Sequence, residues 1–336
     1  MSDLRKPKYL SPSSLATWER DKDEYFYRYI CPKEFRPERP PQTGPMSVGS
    51  AFDALVKNAI YEHYFGREKT LVDGYTRTQL IETQCEEHTL PESLVIAVDV
   101  FDQYTQCGAL GDLLSLIERS PSIPKMEYDL TKVTAGVPML GKPDLHFSTP
   151  RGSHIIVDFK VSGSCSKCGV SPQQGYQLIR SINGGRGDGQ PHSKYVPADH
   201  IGGIEVSAIP MNETTDYWAD QLATYAWSLG EAVGQDTFVV QIEQMACRPC
   251  PESDDSGRLR VRCATHRSTV DPVYQINLLE RYQRCWEHVV RGHYFPELSR
   301  SESDARCEHL IRKAKSPVLL PPDLTGNDIP SLDFGG

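Results

Sequence analysis

Long apolar runs are missing from this chain of 336 residues: no stretch approaches the roughly eighteen consecutive apolar positions that span a bilayer. The first residues, Met1-Ser2-Asp3-Leu4-Arg5-Lys6, lead into Pro7 and Tyr9, so no secretory signal is expected either. A cytoplasmic location without a membrane partner follows as the expectation. Positive charge is also in short supply. Lys and Arg number 36 against 45 Asp and Glu, a net charge of −9, which argues against a broad basic surface that grips a polyanion. It leaves room for an enzyme that gathers acids around metal ions and keeps its positive charge local. No Gly-x-x-x-x-Gly-Lys-Ser/Thr loop is present, which excludes an ATPase motor of that type. The ten histidines show no His-x-x-x-His spacing, so a metal site built on one helix face is not expected from them. Ten cysteines in a cytosolic-looking chain point to free thiols or a metal site rather than to disulfides.

What is present reads as a globular domain over 9–300, followed by a disordered acidic tail over 315–336. Ser11-Pro12 suits a helix N-cap with proline in the first turn, and Leu15, Trp18, Tyr25, Phe26 and Tyr29 recur at helical spacing. A second helix is expected from about Val48 to Phe65, after a proline-rich loop over 32–45. Residues 75–120 read as helical and acidic, broken near Pro91 and Gly108. The texture changes at Pro124. Val137 to Gly141 reads as a hairpin connection, followed by two β-type runs, Asp144 to Phe147 and His154 to Phe159, joined by a turn. Residues 161–214, rich in Gly, Ser and Pro, are too long for a plain connection and read as an insertion or functional loop. Beyond it, Asp216 to Glu231 suits a helix, Phe238 to Ile242 and Leu259 to Arg262 suit strands, and 272–291 suits a helix. Arg258, Arg260, Arg262 and Arg267 form a basic run without an acidic neighbour, either a solvated face or a local patch.

The chemistry concentrates in one constellation. In Asp158-Phe159-Lys160, the Asp and Lys leave the same face of a strand while Phe159 points into a core. Asp144 opens the preceding strand, so pairing of the two strands brings two carboxylates together beside one ammonium. Adjacent carboxylates repel unless a cation sits between them, and Mg²⁺ or Mn²⁺ is the natural choice for oxygen ligands. A surface hairpin with an exposed Asp–Lys pair is the alternative that these residues alone leave open.

Gly141-Lys142-Pro143-Asp144 followed by Ile155-Ile156-Val157-Asp158-Phe159-Lys160 resembles the PD-(D/E)XK nuclease superfamily. Gln221-Leu222-Ala223-Thr224-Tyr225 resembles the Gln-x-x-x-Tyr helix motif of its RecB-like exonuclease branch, and the two named residues share one helical face. Ser11 to Tyr29 is similar to the aromatic opening helix of that branch. Asp53 stands where the branch usually carries a metal-binding His, a departure that still offers an oxygen ligand. The resemblance implies an α/β fold with a restriction-endonuclease-like core, a mixed central sheet flanked by helices. It implies that Asp144, Asp158 and the Phe159 carbonyl hold one or two Mg²⁺ or Mn²⁺ ions, with Asp53 completing the set and Glu127 lying farther out. Lys160 is then the residue that positions the attacking water, and Gln221 and Tyr225 help place the nucleic acid. The implied activity is hydrolysis of DNA by an exonuclease; the alternatives are a restriction-type endonuclease and a non-catalytic nucleic-acid-binding protein on the same fold. Replication, recombination or repair, in a virus of bacteria, is the setting the resemblance suggests.

Some RecB-like nucleases hold an iron–sulfur cluster through a cysteine in the opening helix. Here that stretch reads Arg20-Asp21-Lys22-Asp23, and Cys307 lacks close companions, so no cluster is expected. Cys165 with Cys168 and Cys247 with Cys250 form two Cys-x-x-Cys pairs. They make a four-thiolate zinc site if the fold brings them together, and otherwise are unrelated thiols in loops. The terminal segment from Asn327 to Phe334 mixes acids with apolar residues and reads either as a docking peptide for a replication or recombination protein or as a plain disordered end.

Overall fold

The computed structural model describes residues 4–36, 39–66, 77–185, 187–229, 238–250 and 258–315. Its helices are α1 (Pro12–Arg20), α2 (Lys22–Tyr25), α3 (Gly44–Phe65), α4 (Arg77–Gln84), α5 (Leu90–Gln106), α6 (Ala109–Glu118), α7 (Met211–Thr214), α8 (Asp216–Leu229), α9 (Pro272–Arg291) and α10 (Arg300–Lys315). The strands are β1 (Leu130–Thr134), β2 (Val137–Gly141), β3 (Leu145–Ser148), β4 (His154–Ser162), β5 (Leu178–Arg180), β6 (Pro197–Ile201), β7 (Ile204–Ser207), β8 (Phe238–Pro249) and β9 (Leu259–Ser268). The fold is mixed α/β, with a mixed central sheet flanked by helices. The expected tail over 315–336 lies outside the described residues, apart from Lys315. No helix of the described residues is long and apolar enough to cross a membrane.

The chain divides into two compact units. The larger, 8–16 and 39–287, contains the central five-stranded sheet in the order β3-β4-β8-β9-β5. β3 and β4 form the expected antiparallel hairpin, β4 runs parallel to β8, and β9 and β5 complete the sheet antiparallel. β4 and β8 are central strands, and their apolar runs Ile155-Ile156-Val157 and Phe238-Val239-Val240 are buried. The core on one face is built on α3, α5 and α6. There Phe52 meets Tyr104 and Phe159 edge-on, with ring centroids 5.7 and 6.3 Å away. The smaller unit takes in 4–7, 17–36 and 288–315 of the described chain. In it Phe26 packs on Tyr294 and Phe295, the Tyr27 hydroxyl donates to the Leu310 carbonyl at 3.3 Å, and Arg306 pairs with Asp23.

Several expectations need correction. Residues 137–141 are not a connection but strand β2, paired with β1. The turn is Ala135-Gly136, both with positive φ (47° and 82°), as a tight two-residue hairpin requires. The opening helix is not continuous. It stops at Arg20, Asp21 caps a new start by accepting from the Glu24 amide at 3.0 Å, and the segment ends in a π-helical turn, Phe26–Ile30. Its start is as expected, since the Ser11 hydroxyl accepts from the Ser14 amide at 3.2 Å. The breaks near Pro91 and Gly108 are as expected: α4 ends at Gln84, α5 restarts at Leu90 with Pro91 in its first turn, and α5 ends at Gln106 before Gly108. The segment 161–214 is more than a loop. It extends β4 by two residues, supplies edge strand β5, and forms the β6–β7 hairpin and α7.

Candidate metal centre

Asp144 and Asp158 meet because of strand register. β3 pairs with β4 so that Leu145 opposes Val157, and the next step places Asp144 across from Asp158. Asp144 Oδ2 accepts the Phe159 amide at 2.9 Å, which ties it to the strand that carries Asp158. Lys160, two residues on, pairs with the Asp158 carboxylate, while Phe159 is buried in the core behind. The hairpin is therefore not an exposed surface pair: Asp158 is 1% exposed.

Helix α8 lies over this strand. Gln221 Nε2 donates to Asp158 Oδ1 at 3.0 Å and lies 2.6 Å from the Tyr225 hydroxyl. Gln221 Oε1 accepts from Lys160 Nζ at 3.4 Å, so one carboxamide touches both catalytic candidates and fixes them relative to each other. The close approach of α8 to the β1–β2 hairpin depends on Gly141 at the end of β2. A Cβ there would stand 2.6 Å from Tyr225 Cδ1.

Helix α3 contributes the rest. Asp53 and Lys57 are four apart on one face, carboxylate N-terminal to ammonium, and they form an ion pair. Lys57 is buried and also reaches Glu127 Oε1 at 2.5 Å, while Lys142 reaches Glu127 Oε2 at 3.0 Å. Glu127 itself adopts positive φ (50°), uncommon for a residue with a side chain, and that backbone turn accompanies a carboxylate shared by two lysines. Carboxylate oxygens of Asp53, Glu127 and Asp144 lie within 4.8 Å of one another, among the described residues the one such group of three metal-ligand side chains.

The electrostatics follow from burial. Burial pushes the Asp53 carboxyl up to about 6, with Lys57 opposing it. Asp144 is held well above the usual carboxylate range by burial and by the charges of Asp158 and Asp53. Burial also acts to raise Glu127, but Lys57 and Lys142 outweigh it and hold the carboxyl below its ordinary value. Burial would lower Lys57 and Lys160, yet the surrounding carboxylates raise both above an ordinary lysine. Such a cluster keeps ammoniums charged and makes full ionisation of its acids costly without a further cation. Asp53 Oδ1 is buried without a hydrogen-bond partner, and the donors are hard oxygens, so the residues present fit a divalent Mg²⁺ or Mn²⁺ ion.

The structure thus brings together Asp53, Asp144, Asp158, Lys160, Gln221 and Tyr225. It draws Glu127, expected farther out, into the group nearest Asp53 and Asp144. Phe159 contributes its amide to Asp144. Lys57 was not singled out from the sequence, although an Asp-x-x-x-Lys pair on an otherwise apolar helix was a signal for it. The two cysteine pairs come near each other through their backbones, the Val170 amide donating to the Cys247 carbonyl at 2.9 Å. Their thiols are not among the clustered ligands. Cys247 shares the core face of β8 with Val239 and Met245, whereas Cys165 and Cys168 are exposed.

Next to the acids, a cleft of about 580 Å³ is lined by Ser11, Ser13, Lys142, Tyr217, Gln221 and Tyr225, among others. Tyr217 is 61% exposed at this cleft. No protein-family model matches the chain, and no curated protein does. Among solved structures it is similar to one described as "Crystal structure of SSO0001", 10% identical and covering 91% of this chain and 97% of that one, with a TM-score of 0.25.

Proposed function

We propose that this chain is a PD-(D/E)XK-type nuclease that hydrolyses phosphodiester bonds of DNA with Mg²⁺ or Mn²⁺, acting from an end as RecB-like exonucleases do. The observation that carries this reading is the register that sets Asp144 across from Asp158, with Lys160 and Gln221 bonded to the Asp158 carboxylate and Tyr225 bonded to Gln221.

Asp53, Glu127 and Asp144 would hold the ion, with Asp158 beside them. Bound there, a divalent cation supplies charge neutralisation for a phosphoryl oxygen and acidifies a coordinated water. Lys160 stays protonated and offers N–H donors to a water or to the charge that develops on phosphate. Gln221 orients Lys160 and Asp158 through its two ends. Lys57 balances the buried acids from the protein side, so that the cluster survives between turnovers. The adjoining cleft offers Ser11 and Ser13 hydroxyls and the Lys142 ammonium for phosphates, and the exposed Tyr217 ring for a base.

Incubation with linear and closed circular DNA, single- and double-stranded, in Mg²⁺, Mn²⁺ or EDTA tests the reading. Metal-dependent loss of linear DNA with circles left intact is the expected result. Cutting of closed circles would replace the exonuclease by an endonuclease, and no cutting of any form in either metal would sink the proposal.

A further inference from the structure

On the face of the sheet that Phe159 and Glu243 share, two strands beyond β4, lies a second cavity of about 450 Å³. It is bounded by β9, β5, the start of α6 and the segment that leads into β6 and β7. Its volume falls in the range that holds small organic ligands.

The cavity has one wall of hydrogen-bond donors and one of acceptors. Arg267 Nε donates to Gln241 Oε1 at 2.8 Å, but its two Nη nitrogens make no hydrogen bond among the described residues. Gln241 turns its amide toward Glu243 Oε1 at 2.6 Å, and Thr265 Oγ1 lies 3.2 and 3.1 Å from the two Glu243 oxygens. The guanidinium is thus fixed in place with open donors. Glu205 also lines the cavity: its Oε1 accepts from the Tyr195 hydroxyl at 2.7 Å and from Gln177 at 2.9 Å, while Oε2 has no partner among the described residues. Leu113, Leu178 and Pro197 supply apolar walls.

A simple anion would satisfy Arg267 but would meet Glu205 and Glu243, while Arg180 is already paired with Asp112 at 2.5 Å. An uncharged occupant with acceptors on one edge and donors on the other fits both groups. Guanine has this pattern. Its O6 and N7 accept a guanidinium bidentately, and its N1–H and N2–H₂ face a carboxylate; adenine would set its N6 amine against the same guanidinium. We propose that this cavity binds a guanine base, with Arg267 on the O6/N7 edge and Glu205 on the N1/N2 edge. The proposal does not rest on the nuclease reading, because none of its residues belongs to the metal centre.

Calorimetric titration of the full chain in EDTA tests it, with guanosine, adenosine, and single-stranded oligonucleotides with and without guanine. The expected result is saturable binding of guanosine about tenfold or more tighter than adenosine. Guanosine binding alone identifies a free nucleoside as the ligand; added preference for the guanine-containing oligonucleotide identifies a base in nucleic acid. Glu205→Gln, at a half-exposed position, is expected to fold normally and to weaken guanosine about tenfold, and Arg267→Met to weaken it at least as much. Absence of saturable binding by guanosine and by the guanine-containing strand overturns the proposal. So do equal affinities for guanosine and adenosine, or an unchanged affinity in Glu205→Gln.

Discussion

The cluster at Asp53, Glu127, Asp144 and Asp158 and the one at Glu243 both bury carboxylates in the larger unit, but they neutralise them differently. In the first, lysines from α3 and β4 balance several acids, and Asp53 Oδ1 is left without a hydrogen bond. In the second, Gln241 and Thr265 hydrogen-bond both oxygens of a single acid. The first arrangement leaves a carboxylate oxygen open, as a cation ligand would be; in the second both oxygens are already hydrogen-bonded. A buried carboxylate is therefore a candidate metal ligand only where its remaining lone pairs are open.

Removal of Lys57 breaks this contrast most severely. Lys57→Met leaves Asp53 and Glu127 without their shared ammonium, and urea unfolding in EDTA is expected to show a loss of about 3–5 kcal/mol. Mn²⁺ should recover part of that stability, because a bound cation takes over the neutralisation. Glu243→Ala is the counterpart in the second cluster. It strands the Gln241 and Thr265 donors at a cost of about 1–3 kcal/mol, and no divalent ion should restore it. If Mn²⁺ rescued both variants equally, the distinction between the clusters would be lost. Gly141→Ala probes the join between α8 and the β1–β2 hairpin. The new methyl forces Tyr225 to shift, which should cost about 1–3 kcal/mol in the same unfolding measurement and lower any cleavage rate along with it.

The smallest effect is a pH slope. Burial holds His266 down to about 3 and His146 down to about 4, from an ordinary 6.5. The unfolded chain therefore binds more protons than the folded one between those values and 6.5. Their contribution to stability is full above 6.5 and is lost as pH falls through that window. Glu243, pushed up to about 7 by burial, has the opposite sign: its contribution is full below its ordinary 4.5 and is lost as pH rises through 7. His266→Gln should flatten the acid limb of a stability profile by up to about 1.4 kcal/mol per pH unit. An unchanged limb would show that His266 is not kept neutral.

Much of this was legible because it is local. α9 spans the expected 272–291, α3 begins only a few residues early, and the hairpin that joins Asp144 to Asp158 follows from alternation and a turn. The spacing of Gln221 and Tyr225 likewise put both on the side of α8 that meets Asp158. What stayed hidden depends on contacts distant in sequence. β5 is three residues long and becomes a strand because β9, some eighty residues later, offers an edge. Arg267 sits in a run of arginines that reads equally as a solvated face, yet Gln241 on the neighbouring strand takes it into a cavity. Glu127 is drawn to the acids by Lys57 on another element, a pairing that no local pattern encodes.

In the proposed function the Asp158 carboxylate and the Lys160 ammonium belong to a metal-dependent cutting site. Single-turnover cleavage of end-labelled linear DNA tests it most directly, comparing wild type, Asp158→Asn and Lys160→Ala in Mg²⁺ and in EDTA, with folding checked by circular dichroism. The predicted result is cleavage by wild type in Mg²⁺ alone, with folded variants slowed by about a hundredfold to a thousandfold or more. Cleavage by either folded variant at the wild-type rate, or wild-type cleavage undiminished in EDTA, would contradict it.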